Sequence, residues 1–344
     1  WSFATVRHRE ARRLVEAVAG SAAPRVASEF NTQNMANVAW AVATVRLKDD
    51  AWLGALAQGA LPRLHEFAEA ELANLVWSVA ALHAASATEG LLEAAAAEAL
   101  RRGPSALTPW SSAQMLWSFA VCGSYPPSLF WALLRDCGRC LHPGQPNREK
   151  ACSQLWGAAL GFALEANGGG SSSTGSALAD MLEALPGLRS VERLHREELA
   201  VRPVGSSAAH ADVSRQLSAL GMVHFCEYRT AEGFCLDCAF PDRRLAVEVD
   251  GNDHFVRGAG AARALSPDGA TRFKWRLLER TGWRVVSVPE HEWKQLASPR
   301  EKQDYLAFRL SGERQECLPP AQPPPPREPQ QRAVRSREES IAVA

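Results

Sequence analysis

The run Asn37-Val38-Ala39-Trp40-Ala41-Val42-Ala43 decides how the first half of this chain is interpreted, because a tryptophan in a similar small-residue frame keeps returning along it. The tryptophans stand at positions 1, 40, 77, 117 and 156, at spacings of 39, 37, 40 and 39 residues. A period of this length is typical of stacked supersecondary units that cannot bury their apolar faces alone. The sequence therefore predicts an array of repeats of about 38 residues.

Each repeat is predicted to be a pair of α-helices. A second helical pattern begins about 9 to 12 residues after each tryptophan, which suits an antiparallel hairpin with a short loop. In one unit, Thr108-Pro109 provides a good N-cap and first helical residue. The last hairpin is interrupted by a Gly- and Ser-rich stretch at residues 167–176, predicted to be a flexible insertion. We assign residues 1–221 to this helical-hairpin solenoid.

Bulk composition limits the possible functions. The 344 residues carry a formal net charge of zero, so any binding to a polyanion must depend on local patches of cations. Eight irregularly spaced cysteines predict free thiols in a reducing compartment. No run of about 18 to 20 apolar residues could span a bilayer, so no membrane contact is expected. Because the chain begins on a repeat tryptophan rather than Met, we expect it to be truncated, with any targeting peptide missing.

The pattern changes to short β-rich runs from about Met222. Four strands and one helix are predicted, and the whole segment 222–311 is assigned to a compact α/β domain. Residues 312–344 are rich in Pro and charge and are predicted to be a disordered tail. The predicted elements are the strands Val223–Tyr228, Phe234–Phe240, Leu245–Asp250 and Trp283–Val288, with a helix at Ala270–Thr281.

Three motifs in this segment carry a resemblance. The chain has Glu248-Val249-Asp250-Gly251-Asn252-Asp253-His254-Phe255, then Gly269 to Leu278, then Gly282 to Pro289 followed by Glu292-Trp293. In this order they resemble the RAP domain, a small RNA-binding module abundant in apicomplexans. The helical array is similar to repeats upstream of RAP domains in octotricopeptide-type and Fas-activated kinase-like proteins. The resemblance implies a role in mitochondrial or plastid RNA metabolism, including ribosomal RNA maturation, mRNA stability and translation.

RAP domains are in turn similar to the restriction-endonuclease-like fold, in which an Asp and a Glu-x-Lys on adjacent strands hold a divalent metal. The corresponding positions here are Asp237 and Glu248, which would bind Mg²⁺ through hard oxygen ligands. Asp250 stands where the nuclease has Lys and would be a third carboxylate that strengthens metal binding, while Lys274 on the next helix is the candidate substitute for the lysine. The candidate catalytic residues are thus Asp237, Glu248, Asp250 and Lys274. This resemblance leaves two alternatives open, a metal-dependent endoribonuclease and an inactive relative, of which we favour the non-catalytic RNA binder. No cofactor other than Mg²⁺ is implied.

Basic residues of the same segment are the candidate RNA contacts. Arg272, Arg276 and Arg280 are four apart and are expected to form a stripe on one face of the helix. Such a stripe can follow a phosphate backbone, whereas the alternative is an ordinary solvated face. The candidate RNA-binding residues are Arg243, Arg244, His254, Arg272, Lys274, Arg276 and Arg280.

Other motifs have structural alternatives. The repeat tryptophans are expected in the core, and Asn37, Asn74 and Gln114, each three residues before a tryptophan, are interpreted as a structural ladder rather than as readers of base edges. Neither the Cys137–Cys140 pair with His142 nor the Cys235–Cys238 pair offers four zinc ligands, and the latter two cysteines should point to opposite faces of a strand.

The function that the sequence predicts is binding of single-stranded organellar RNA, with the array selecting the RNA and the C-terminal domain contacting phosphates. The location is expected to be the mitochondrion, with the plastid as the alternative. A rival hypothesis is a scaffold that recruits proteins to an organellar ribonucleoprotein. The near balance of 14 cations and 13 acids in residues 1–160 keeps that rival open.

Overall fold

The computed structural model describes residues 11–142, 144–145, 147–166, 174–201, 207–259 and 264–312. The predicted insertion lies mostly, and the predicted tail almost entirely, outside the described residues. A mainly α-helical array precedes a small α/β module, as the sequence predicts. Within the described part of the chain, no helix is both long and apolar enough to cross a membrane.

The array is a stack of helical hairpins after helix α1 (Ala11–Ala22). The tryptophan-bearing helices pack side by side in sequence order, each on the next. Asn31 caps the first of them through a bond from the Asn34 backbone N–H, and Thr108 caps the third through the Ser111 N–H, as its sequence predicts. The hairpin helices are α2 (Thr32–Thr44), α3 (Asp50–Ala60), α4 (Glu69–Ala81), α5 (Leu91–Arg102), α6 (Pro109–Val121), α7 (Pro127–Arg135), α8 (Arg148–Gly161) and α9 (Thr174–Ala184).

The repeat tryptophans are not buried equally. Trp156 is 2% exposed, whereas Trp40, Trp77 and Trp117 are half-buried and pack against the core, which is formed mainly by alanine, leucine and valine. The amides have a structural role where α6 meets α4, because Gln114 Nε2 donates to the side-chain oxygen Oδ1 of Asn74 at 3.1 Å. These two amides therefore join neighbouring repeats.

The module contains a four-stranded sheet in the order β2-β3-β4-β7. Strands β2 (Phe225–Arg229), β3 (Cys235–Phe240) and β4 (Leu245–Asp250) are antiparallel neighbours, and β7 (Arg284–Pro289) runs parallel to β4. The crossover between these parallel strands contains the predicted helix, observed at Gly269–Arg280. The remaining α-helices of more than four residues, numbered with it in chain order, are α10 (Pro186–Val201), α11 (Ala208–Ala219), α12 (Gly269–Arg280) and α13 (Pro299–Ser311), and two single-turn α-helices lie at Val26–Glu29 and Glu290–Trp293.

Helix α11, which the sequence places in the array, packs on the sheet instead. Its Val213 and Leu217 share a hydrophobic core with Val247 and Val288 of the sheet and with Leu306 of α13. The amphipathic pattern of α11 predicts a buried face but not the layer that covers it, since a helix can bury that face against helices or a sheet alike.

The array and the module share a second, smaller sheet. Strand β1 (Leu47–Lys48), directly after α2, pairs in parallel with β5 (Phe255–Gly258), which pairs with β6 (Leu265–Pro267). Helix α12 lies against α4 and α6, and Phe273 contacts Gly161 of α8. The module is therefore built onto the edge of the array where the tryptophan helices end.

Candidate functional site

The first candidate site is a cavity where β3 and β4 separate. The register that pairs Cys238 with Val247 would place Asp237 opposite Glu248, but Asp237 Oδ2 instead accepts a hydrogen bond from the Val249 N–H at 2.7 Å. The side chain of Asp237 thus accepts a hydrogen bond from β4 that a backbone carbonyl of β3 would otherwise accept. A cavity of about 240 Å³ opens here, lined by Ser207, His210, Asp237, Val249, Gly251, His254 and Glu290.

Glu248 and Lys274 meet beside this cavity. Lys274 Nζ donates to Glu248 Oε2 at 2.5 Å and to the Cys235 carbonyl oxygen at 2.9 Å. Burial raises the pKa of Glu248, which is 3% exposed, to about 7; Lys274 opposes this rise and Asp237 adds to it. Burial has the largest single effect on the pKa of Lys274 and lowers it, but the charge and hydrogen bond of Glu248, together with the charges of Asp237 and Asp250, raise the pKa above its ordinary value. Lys274, which was predicted to substitute for the lysine of the Glu-x-Lys motif, therefore reaches Glu248.

Asp250 has partners of its own. Ser287 Oγ donates to Asp250 Oδ2 at 2.6 Å, and His254 Nδ1 lies 3.6 Å from Oδ1. Burial raises the pKa of Asp250, opposed first by the Ser287 hydrogen bond. The ligand atoms of Asp237, Glu248 and Asp250 do not form a mutually close trio. A third metal ligand at Asp250, considered from the sequence, is therefore not supported.

The two remaining carboxylates fit a divalent ion. Glu248 Oε1 is buried and has no hydrogen-bond partner within the part of the chain that the structure describes. A buried carboxylate oxygen left without a donor is costly, and a cation would satisfy it. Mg²⁺ is commonly held by one or two carboxylates together with phosphate oxygens and water. Asp237 and Glu248 are thus a suitable donor pair.

Two of the three arginines in the predicted stripe serve the contact with the array. Arg276 donates to the Ala120 and Val121 carbonyl oxygens at the end of α6, and its Nε lies 2.8 Å from Glu165 Oε1. Arg280 Nε is 3.6 Å from the same oxygen. Cations are stabilised at helix C-termini, where carbonyl oxygens lack partners. Arg276 is committed to this contact, so we do not carry it forward as a phosphate-binding residue.

Arg243 and Arg244 lie at the opposite end of the strands from the cavity. Both are exposed in the turn between β3 and β4, and Arg244 lies over the Trp283 ring at 5.4 Å. Six strand residues at about 3.3 Å each separate this turn from Asp250, a distance of about 20 Å. They are therefore distant from the cavity, while the Arg284 N–H donates to the Arg244 carbonyl oxygen at 2.7 Å.

A second group of basic residues, most of which sequence reasoning missed, lies along the shared sheet between array and module. We call it the seam: Arg12, Arg46, Lys48, His83, Arg257 and Arg272. Only Arg272 among these was a candidate. Lys48 Nζ donates to the His83 carbonyl oxygen at 3.1 Å, and the pairing of Leu47 with Arg257 brings the array and module cations together. No local sequence signal predicts that pairing, because its two strands are about 210 residues apart.

Among the residues that the structure describes, the charges of the seam are only partly compensated, and Lys48 Nζ is 3.9 Å from Asp50 Oδ1, whose side chain is 66% exposed. Arg46 Nη1 is 2.6 Å from Asp268 Oδ2, while its other acid, Asp253, is 86% exposed and 3.9 Å away. Arg257 Nε is buried without a hydrogen-bond partner among the described residues. Burial lowers the pKa of Arg12, and repulsion by Arg257 and Arg46 lowers it further against the opposing effect of Glu16. The seam is therefore suited to an anion.

His83, which belongs to the array, also has a lowered pKa because of burial and nearby cations. Burial lowers it first, and Arg272, Lys48 and Arg276 each lower it further. A neutral histidine surrounded by cations can donate a hydrogen bond to an anion without adding another charge.

Two comparisons with known proteins agree with the resemblance. Residues 247–307 match the family model of the RAP domain. A RAP domain-containing protein, chloroplastic, of Oryza sativa subsp. japonica is 27% identical to this chain over 310 residues, covering 80% of this chain and 46% of that relative. The chain thus spans less than half the length of the relative. The similarity of its C-terminal module to RAP domains is confirmed.

Proposed function

We propose that this protein binds single-stranded RNA in an organelle, and that the seam holds the phosphate backbone. The incompletely compensated cations of the seam are the observation that carries the proposal. Arginine suits this task because its planar guanidinium matches a phosphate with paired donors. The plastid is now the favoured location, since the relative is named chloroplastic; the sequence alone favoured the mitochondrion.

The seam leads toward the cavity. The Asp268 N–H donates to the His254 carbonyl oxygen at 2.8 Å, and Asp268 also holds Arg46. His254, whose side chain is 52% exposed, lines the cavity that contains Asp237. An RNA strand whose phosphates follow the seam would therefore arrive at the carboxylates. His254 keeps its predicted role as an RNA contact at this point.

Replacing Arg12, Arg257 and Arg272 together with Gln should weaken RNA binding in a salt-dependent way. Each lost phosphate contact removes about 0.7 from the slope of log affinity against log salt for a single strand, so we expect a slope smaller by about 2. Affinity at low salt should fall about tenfold or more. Fluorescence anisotropy with a labelled single-stranded RNA of mixed sequence measures both quantities.

The matched control replaces three exposed arginines away from the seam, Arg189, Arg193 and Arg300, with Gln. It changes net charge equally, so it should leave the slope nearly unchanged. Equal losses in both triple variants would show that only net charge matters and that the seam is not the site. No binding by the unaltered protein at low salt would reject RNA binding and favour the protein scaffold.

A second candidate function is a Mg²⁺-dependent endoribonuclease, favoured by the meeting of Asp237, Glu248 and Lys274. In such a site a bound Mg²⁺ lowers the pKa of water and offsets charge on the scissile phosphate. Asp237 and Glu248 would hold the ion. Lys274, fixed by the Cys235 carbonyl oxygen, would keep a cation beside them. The orphaned Glu248 Oε1 is the specific support for this alternative.

If the protein cleaves RNA, Asp237→Asn and Glu248→Gln should each reduce Mg²⁺-dependent cleavage about 100-fold or more while RNA binding persists. Gel analysis of an end-labelled RNA with Mg²⁺ and with a chelator gives the rates. Asp253→Asn is the control, because Asp253 is 86% exposed and not part of the donor pair. Undiminished cutting in both site variants would assign the activity to a contaminant, and no cutting by the unaltered protein would remove the enzyme alternative.

A further inference from the structure

A histidine and two cysteines from three different elements converge on the other side of Asp237. Cys226 of β2 and Cys238 of β3 are directly opposite each other in the antiparallel pair, so their side chains share one face of the sheet. Helix α11 covers this face and brings His210 to them. One ligand atom from each of His210, Cys226 and Cys238 lies within 4.8 Å of the other two.

One ring nitrogen of His210 faces a second hydrogen-bond acceptor. The side chain is buried, with 5% of its surface exposed, and Nε2 lies 2.9 Å from the Asp237 carbonyl oxygen. Because a carbonyl oxygen only accepts, Nε2 must carry the proton, which leaves Nδ1 of a neutral ring as an acceptor. Nδ1 faces Glu227 Oε1 at 3.3 Å. Two acceptors in contact require a proton or a metal ion between them.

Glu227 is held in place against the preference of its backbone. Its φ of 51° lies in the left-handed region, which is unfavourable for a residue other than glycine and is unusual inside a strand. The same carboxylate accepts a bond from Cys235 Sγ at 3.1 Å. Cys235 is thus turned toward Glu227, whereas its sequence partner Cys238 faces Cys226, in agreement with the opposite faces that strand geometry predicts.

We propose that His210, Cys226 and Cys238 form a Zn²⁺ site with three protein ligands and a fourth position open to water. Zn²⁺ prefers thiolate and imidazole ligands in a tetrahedral arrangement, and a site with three protein ligands takes water as the fourth. A zinc-bound histidine commonly donates its second N–H to a carbonyl oxygen, as Nε2 does here. A proton alone would satisfy His210 and Glu227 but would leave the two thiols unused.

The ion would fasten α11 to the edge of the sheet that carries Asp237. Metal binding couples to folding, because the ligands come from separate elements that are apart in the unfolded chain. Ser214 lies one turn after His210 on the same face of α11, and its Oγ is 3.3 Å from Cys226 Sγ, which supports the orientation of that thiol. The site is independent of the RNA proposal, since no seam residue takes part.

Metal analysis of the full chain, purified without chelator, tests the site. Elemental mass spectrometry should find about one Zn²⁺ per chain. The zinc should be absent from Cys226→Ser and from Cys238→Ser, and present in the control Cys235→Ser. Cys226 is exposed, so its serine variant should fold even if the variant at buried Cys238 does not. Co²⁺ added to the zinc-free protein should give a thiolate charge-transfer band that Cys226→Ser weakens.

Three outcomes would overturn the proposal. The first is protein that contains no zinc and shows no such band with Co²⁺. The second is zinc retained in Cys226→Ser, which would place the ion elsewhere. The third is a Cys226–Cys238 disulfide in protein kept under reducing conditions, detected by mass as two missing hydrogens. If the seam variants lose RNA binding but keep their zinc, the zinc proposal is unaffected.

Discussion

Replacing Gly269 with Ala should lower the free energy of unfolding by roughly 3 kcal/mol or more. Gly269 is the first residue of α12, and an added Cβ would lie 1.8 Å from the Ala80 carbonyl oxygen and 2.8 Å from Val121 Cγ1. Both neighbours belong to array helices, and a backbone carbonyl cannot move aside as a flexible side chain can. The variant must therefore separate α12 from α4 and α6 or distort the ends of those helices.

Chemical denaturation gives the stability change, and limited proteolysis reports whether the module has separated from the array. Gly20→Ala is the matched control, because Gly20 lies inside α1 and an added Cβ would meet nothing within 4 Å. That variant should be unchanged or more stable by about 0.5 to 1 kcal/mol, since alanine favours a helix over glycine. Equal stabilities for the two variants would mean that the module does not pack on the array as described.

Glu248→Gln should become more stable relative to the unaltered protein as pH rises from 5 to 8. The pKa of Glu248 is about 7 in the folded protein against an ordinary value of 4.5, so between these values the folded state holds a proton that the unfolded state has released. Stability contributed by this protonated group is present at low pH and is lost as pH rises through 7. The shift corresponds to a relative change of roughly 3 kcal/mol.

Denaturant titrations at several pH values, with a chelator present, measure this difference. Lys274 stays charged from pH 5 to 8. Loss of the Glu248 carboxylate beside it should therefore change the free energy of unfolding by an amount that does not vary with pH. Glu98→Gln is the control of opposite sign: bonds from Arg101 and Arg102 lower the pKa of Glu98 to about 2 despite burial. The stability that Glu98 contributes is lost only below about pH 4.5. The stability difference between Glu98→Gln and the unaltered protein should therefore not change from pH 5 to 8. A flat difference for Glu248→Gln as well would contradict a protonated Glu248.

The basic residues of the module divide between two tasks. Arg276 and Arg280 join the end of α6 and Glu165, while Arg272 faces the seam. Helix α12 therefore supplies one residue of the seam and also holds the module against the array. Arginines with the same spacing on one helix thus have different roles, because each meets a different neighbour.

Residues whose roles depend on local pattern could be predicted from the chain. The tryptophan period gave the hairpins, alternating apolar residues gave β3, β4 and β7, and Asp237 and Glu248 were identified on adjacent strands. A structural role for Asn74 and Gln114 was also anticipated, since amides beside a packed core need partners. These are effects of neighbours within a few residues or of one repeat.

Periodicity and propensity act over a few residues, so the sequence by itself determined the hairpin helices, the helix of the module and the strands β2, β3, β4 and β7, while the family resemblance identified Asp237 and Glu248. Only the tertiary structure decided that Lys274 reaches Glu248, that Arg276 holds the array, and that β1 joins β5. It also decided the meeting of His210 with Cys226 and Cys238. Such contacts depend on how separate elements dock, and docking follows from the shapes of whole surfaces, which no short stretch of sequence specifies.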